Sequence, residues 1–79
     1  MKIKQIAKRI EQYLKTDCAE EWHINVKENE IIAYFENTKK FTITYDEDFE
    51  DWYIDGKYIH IGMIGEISLI IKLYEERGY

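Results

Sequence analysis

Apolar residues recur at three- and four-residue steps at the start of the chain. Ile3, Ile6, Ala7, Ile10, Tyr13 and Leu14 share one side, and Lys4, Lys8, Glu11 and Lys15 ride the other. This is the 3.6-residue period of an amphipathic helix, and it fades at Thr16-Asp17 without a capping glycine.

The period then changes to two. Trp22, Ile24 and Val26 alternate with His23 and Asn25. A two-residue turn at Glu28-Asn29 sets Val26 against Ile31, Ile24 against Ala33 and Trp22 against Phe35, which puts all six side chains on one face. A three-residue loop, Asn37-Thr38-Lys39, would continue the meander. It pairs Phe35 with Phe41, Ala33 with Ile43, Ile31 with Tyr45 and Glu36 with Lys40.

The run Asp46-Glu47-Asp48-Phe49-Glu50-Asp51 breaks the alternation. The next stretch, from Trp52 to Ile61, reads as a hairpin of its own. Asp55-Gly56 supplies a type I′ turn, with Gly56 expected at positive φ. Trp52, Ile54, Ile59 and Ile61 then share one face, and Tyr53, Tyr58 and His60 the other.

A second helix is expected over about residues 62–77. Met63, Ile64, Ile67, Ile70, Ile71 and Tyr74 form its stripe, and Gly78 is placed to stop it. Leu69 and Leu73 lie off that stripe, either under the first helix or exposed.

The order is helix, antiparallel β-meander of three to five strands, helix. One sheet face is fully apolar and both helices need cover, so the fold expected is an α+β two-layer sandwich with both helices on that face. Ile32, Tyr34, Thr42, Thr44, Tyr53 and Tyr58 would remain on the open face.

Length allows one domain, residues 1–79, with a core near the lower limit for folding without staples. An apolar fraction of 46% argues against a disordered tail. The single Cys18 excludes an internal disulfide and a CxxC pair, and it is expected to pack at a helix end. No run approaches the roughly 18 apolar residues of a membrane span, and the N-terminus has no secretory pattern. A cytoplasmic protein is expected, in the host cytoplasm if a phage encodes it.

Charge is unevenly placed. Residues 1–16 hold five bases and one acid, and residues 17–79 hold six bases and fifteen acids. The net of −5 argues against direct contact with nucleic acid or an anionic membrane. The lysines of the first helix read as a solvated face. Helix, three strands, helix resembles the double-stranded-RNA-binding domain in topology. That family needs lysines at the start of the last helix, where this chain reads His60-Ile61-Gly62-Met63-Ile64-Gly65-Glu66, so RNA binding does not carry over.

Catalytic and metal chemistry find little support. An EF-hand loop begun at Asp51 has Asp55 and Gly56 in register but Tyr53 third and Gly62 twelfth. Begun at Asp46, it has Asp51 where glycine belongs. Gly62 and Gly65 are followed by Glu66 and not by the lysine of a phosphate loop. His23 and His60 are expected on outward strand positions, and nothing builds a pocket around a carboxylate pair. No enzyme, cofactor or metal is implied.

The acidic run is the feature left over. Asp46, Glu47, Asp48, Glu50, Asp51 and Asp55 crowd together, interleaved with Phe49, Trp52, Tyr53 and Tyr58. Solvation alone does not call for the aromatics; a protein contact does. Partner-binding candidates are therefore Asp46, Glu47, Asp48, Phe49, Glu50, Asp51, Tyr53, Asp55 and Tyr58. In size, acidity and lack of a catalytic motif the chain resembles small inhibitors carried by phages and mobile elements, such as anti-CRISPR proteins and DNA mimics. That resemblance implies stoichiometric inhibition of a host nuclease or nucleic-acid-binding protein through a basic surface. The alternative is a homo-oligomeric structural or regulatory module, with a homodimer through Leu69 and Leu73.

Overall fold

The computed structural model describes residues 3–56 and 59–78. It has the expected α+β organisation. Helix α1 (Ile3–Tyr13) leads into strands β1 (Trp22–Lys27), β2 (Glu30–Phe35), β3 (Thr38–Asp46) and β4 (Asp51–Gly56), and helix α2 (Ile61–Arg77) closes the order. The four strands form one antiparallel meander in sequence order, with β1 and β4 at its edges.

Both helices pack against the sheet, and one core joins the layers. Ile3, Ile6, Ala7, Ile10 and Leu14 enter it from the first helical segment, and Met63, Ile67, Ile71 and Tyr74 from α2. The sheet contributes Trp22, Ile31, Ala33, Phe41 and Ile43. Trp22 meets Phe35 edge-on at 5.3 Å between ring centres and Phe41 at 5.7 Å, so the aromatics cluster where β1, β2 and β3 adjoin.

No glycine ends α1. The helix widens into a π-turn over Leu14–Cys18, where the Ala19 N–H reaches the Leu14 carbonyl at 2.8 Å. Leu14 stays buried, while Cys18 is exposed and not packed as the sequence suggested. Gly78 ends α2 in the left-handed region at φ 79°, its N–H bonded to the Tyr74 carbonyl at 2.7 Å.

The first hairpin has the register read from its pattern: Trp22 faces Phe35, Ile24 faces Ala33 and Val26 faces Ile31. The second does not. Its turn is two residues, Glu36 and Asn37, both at positive φ (51° and 74°). Such a turn pairs Phe35 with Thr38 and Tyr34 with Lys39. Continued without interruption, it would aim Lys40 into the core. A bulge between Ala33 and Tyr34 absorbs Lys40 instead, so that Ala33 pairs with Phe41 and Ile31 with Ile43. Burial of Phe41 decides the register, and the predicted pairs Phe35 with Phe41 and Glu36 with Lys40 are displaced.

The separate hairpin at 52–61 is also corrected. Residues 51–56 are the fourth strand of the main sheet, paired Asp46 with Asp51, Tyr45 with Trp52, Ile43 with Ile54 and Phe41 with Gly56. Gly56 is extended. A Cβ built there would lie 2.5 Å from the Phe41 Cβ and 2.6 Å from the Lys40 carbonyl oxygen. Glycine at this position permits close approach of two backbones and not a left-handed turn. His60 caps the start of α2 through its carbonyl, which accepts the Ile64 N–H at 3.0 Å, and Ile61 is the first helical residue. Neither is on a strand.

Candidate partner-binding surface

The acidic run forms the tip of the β3–β4 hairpin. Asp46 ends β3 and Asp51 begins β4, facing each other in the last ladder pair. Between them lies the turn at residues 47–50. Asp46 holds this turn locally: its Oδ1 accepts the N–H of Asp48 at 2.9 Å and that of Phe49 at 3.4 Å. Asp51 Oδ1 accepts the N–H of Trp52 at 2.9 Å. Glu50 completes the reversal at φ 52°. A non-glycine residue in that region is uncommon.

These bonds use Asp46 and Asp51 to shape the backbone and leave Glu47, Asp48 and Glu50 in solvent. Phe49 stands among them with 77% of its surface exposed. The phenyl ring thus stands in solvent on a hydrogen-bonded turn among carboxylates.

The structure brings Asp46, Glu47, Asp48, Phe49, Glu50 and Asp51 together at one end of the sheet. Tyr53 and Asp55 are also exposed, but they lie along the open face of β4. At about 3.3 Å per residue, Asp55 sits roughly 13 Å from Asp51. The surface is thus a tip plus a strand flank. Tyr58 lies outside the described residues.

Two further acids belong to this account and carried no signal in the linear pattern. Glu75, on the last turns of α2, accepts a hydrogen bond from the Trp52 indole at 3.2 Å. Trp52 in turn packs on Tyr45, with ring centres 4.8 Å apart. The Tyr45 phenol is raised above its usual pKa, first by burial and then by the charges of Glu50, Glu75, Glu47 and Asp46. Glu75 therefore extends the negative field of the tip onto the helix layer. The second acid, Glu11 on α1, accepts the backbone N–H of Ile24 at 2.9 Å on the opposite edge of the sheet.

The open face carries Ile32, Tyr34, Thr42, Thr44 and Tyr53, as the alternation required. His23 stacks on Tyr34 with ring centres 5.5 Å apart and planes within 11°. This contact makes His23 a packing partner across the strands. Among the described residues no group of three or more histidine, cysteine, aspartate or glutamate side chains is arranged to hold a metal. No described helix is long and apolar enough to cross a membrane.

Comparison with known proteins finds no matching family, no matching curated protein and no matching solved structure. The fold class and the surface itself are what characterise the chain.

Proposed function

We propose that this protein is a non-enzymatic binding module that occupies a basic surface of another protein. In the form suggested by its resemblance to small phage-borne inhibitors, the target is a host nuclease or other nucleic-acid-binding protein of the anti-CRISPR class, and the module acts by mimicking nucleic-acid charge. The observation that carries the reading is Phe49, 77% exposed at the centre of a turn whose other members are all acidic. Carboxylates steer the encounter with a basic partner, and the phenyl ring supplies apolar contact once docked. Tyr53 and Asp55 lengthen the contact along β4.

The test begins with capture of the partner from the host that carries the gene. The partner's nucleic-acid binding or cleavage is then measured with and without the protein. Stoichiometric loss of that activity, relieved by Phe49→Ala, supports the reading. Full activity of the captured partner at saturating protein removes inhibition as the function.

A second reading, a homo-oligomeric module, is favoured by one stripe of α2. Ile61, Gly65, Leu69 and Leu73 follow one another at four-residue steps, with Ile61 88% and Leu69 48% exposed. Sedimentation at micromolar concentration tests it. A monomer unchanged by Leu69→Glu and Leu73→Glu eliminates this interface.

A further inference from the structure

The two edges of the sheet are treated differently. In an antiparallel ladder, alternate backbone N–H groups point away from the neighbouring strand. On β1 the outward groups are those of Trp22, Ile24 and Val26, as the bond from Ile24 to Glu11 fixes. Trp22 is covered by the Ala19 carbonyl at 3.4 Å and Ile24 by the Glu11 carboxylate, so two of the three are closed.

On β4 the outward groups are those of Trp52, Ile54 and Gly56, by the same alternation from Trp52. Asp51 covers only Trp52. Among the described residues none covers the Ile54 and Gly56 N–H groups, and such an open edge is the feature sheet proteins ordinarily blunt. Beside it runs a cleft of about 210 Å³ between β4 and α2, where the apolar Trp52, Ile54 and Ile71 stand among Asp51, Ser68, Lys72 and Glu75. Asp51, at the start of β4, reaches the cleft mouth, and the side of the strand away from the cleft carries Tyr53 and Asp55.

We infer that β4 is a strand-addition site that receives an extended segment of the basic partner. This inference rests on the reading of the acidic surface given above and specifies how that surface is engaged. An added strand lies about 4.8 Å from β4 and alternates its side chains between the two faces. On one face it meets Asp51 and Asp55, which select lysine or arginine at every second position. On the other it meets the mouth of the cleft, where Trp52, Ile54 and Ile71 offer apolar contact to the residues between them. A second copy of this chain is disfavoured in one register: antiparallel pairing of two β4 strands about Tyr53 would set Asp51 of each against Asp55 of the other, and like charges directly opposed in a ladder are destabilising. Pairing about Ile54 opposes Asp55 to Tyr53, and the exchange experiment tests for that outcome.

The probe is a short, acetylated and amidated peptide of alternating lysine and valine, long enough to span the six residues of β4. Binding is followed by amide exchange of the otherwise unaltered protein. At a peptide concentration ten times Kd, exchange at Ile54 should slow by about tenfold. Two N-methylated peptides complete the test, one methylated at the valine amides and one at the lysine amides. Only one set of amides can face β4, so one peptide should lose about tenfold or more in affinity and the other should bind as before. The pair that behaves so also reports strand direction. Asp51→Asn with Asp55→Asn should weaken binding and flatten its salt dependence while leaving the Asp51 acceptor in place.

Equal binding by both methylated peptides, or no protection at Ile54, overturns the inference. So does protection of Ile54 that rises with protein concentration in the absence of peptide, which would give the edge to a second copy. The two readings separate cleanly. If neutralising Glu47, Asp48 and Glu50 slows binding while both methylated peptides bind alike, the acidic surface stands and strand addition falls. If methylation blocks binding and neutralisation has no effect, strand addition stands without the acidic turn.

Discussion

The Ile24 N–H, on the outer edge of β1, donates to the Glu11 carboxylate of α1 at 2.9 Å. One side chain thereby ties the first helix to the sheet and closes a backbone donor that would otherwise invite another strand. Removing it should cost about 1.5–3 kcal/mol, the range for a hydrogen bond to a charged acceptor. Glu11→Ala should lower the urea midpoint and speed amide exchange at Ile24. Glu11→Gln should recover most of the loss, because its amide oxygen still accepts. An unchanged midpoint for the alanine variant would mean that water replaces the carboxylate at no cost.

Gly56 gives the sharpest test of the corrected β4. A Cβ at this position falls within 2.8 Å of the Phe41 Cα and closer still to two other atoms, two of the three being backbone. Overpacking of this kind costs about 1–3 kcal/mol. Gly56→Ala and Gly56→Asn should both destabilise, and to similar degree. Were residue 56 in a left-handed turn, asparagine would be tolerated and alanine would not. Thermal midpoints of the two variants decide between the geometries.

Much of the fold was legible in residue order, and the failures share a cause. Trp22, Ile24 and Val26 alternate against Ile31, Ala33 and Phe35 with nothing competing, so their register follows from the pattern alone. The second hairpin needed a bulge at Lys40, and a bulge leaves little trace when the extra residue is an ordinary lysine. Asp55-Gly56 is a strong local turn signal, but the long-range pairing of Ile43 with Ile54 and Tyr45 with Trp52 outweighs it. The acidic tip was legible because it is contiguous. Glu11 and Glu75 were not, because each acts on a residue at least thirteen positions away.

Gly65 within α2 and Gly78 just past its end should respond in opposite directions. Gly65 is helical and nothing lies within 4 Å of a Cβ built on it. Gly65→Ala should therefore stabilise the protein by about 0.4–1 kcal/mol, chiefly by restricting the unfolded chain. Gly78 has equal space but sits at φ 79°. Gly78→Ala should destabilise by about 1 kcal/mol, since an L side chain is strained there. Paired chemical denaturation curves check both signs.

The Tyr13 phenol is pushed up to about 12, first by burial, then by its hydrogen bond with Cys18 and the negative charges of Cys18, Glu66 and Asp17. The folded protein therefore holds this proton more tightly than the unfolded chain, whose tyrosine titrates near its ordinary value of 10.0. The stabilising difference is intact below the unfolded value and is lost as pH rises through the folded one. Phenolate absorbance should show a late-titrating component that Tyr13→Phe diminishes, and Tyr13→Phe should flatten the fall in stability over that alkaline range. A Tyr13 that titrates with the exposed tyrosines would contradict the packing at the π-turn.

The central claim is that the acidic turn exists for a basic partner. Asp46→Asn, Glu47→Gln, Asp48→Asn and Glu50→Gln combined remove the charge yet keep the Asp46 oxygen that holds the turn. Like charges no longer repel, so stability should be equal or slightly higher. The decisive measurement is the association rate constant of this variant and the wild type with the captured partner, at low and at physiological salt. Charge steering acts on the encounter and is screened over about 8–10 Å near physiological ionic strength. The account predicts that the variant associates more slowly at low salt and that its rate barely changes when salt is added. A variant that associates as fast as the wild type at low salt would show that the turn is merely solvated, and would contradict the account.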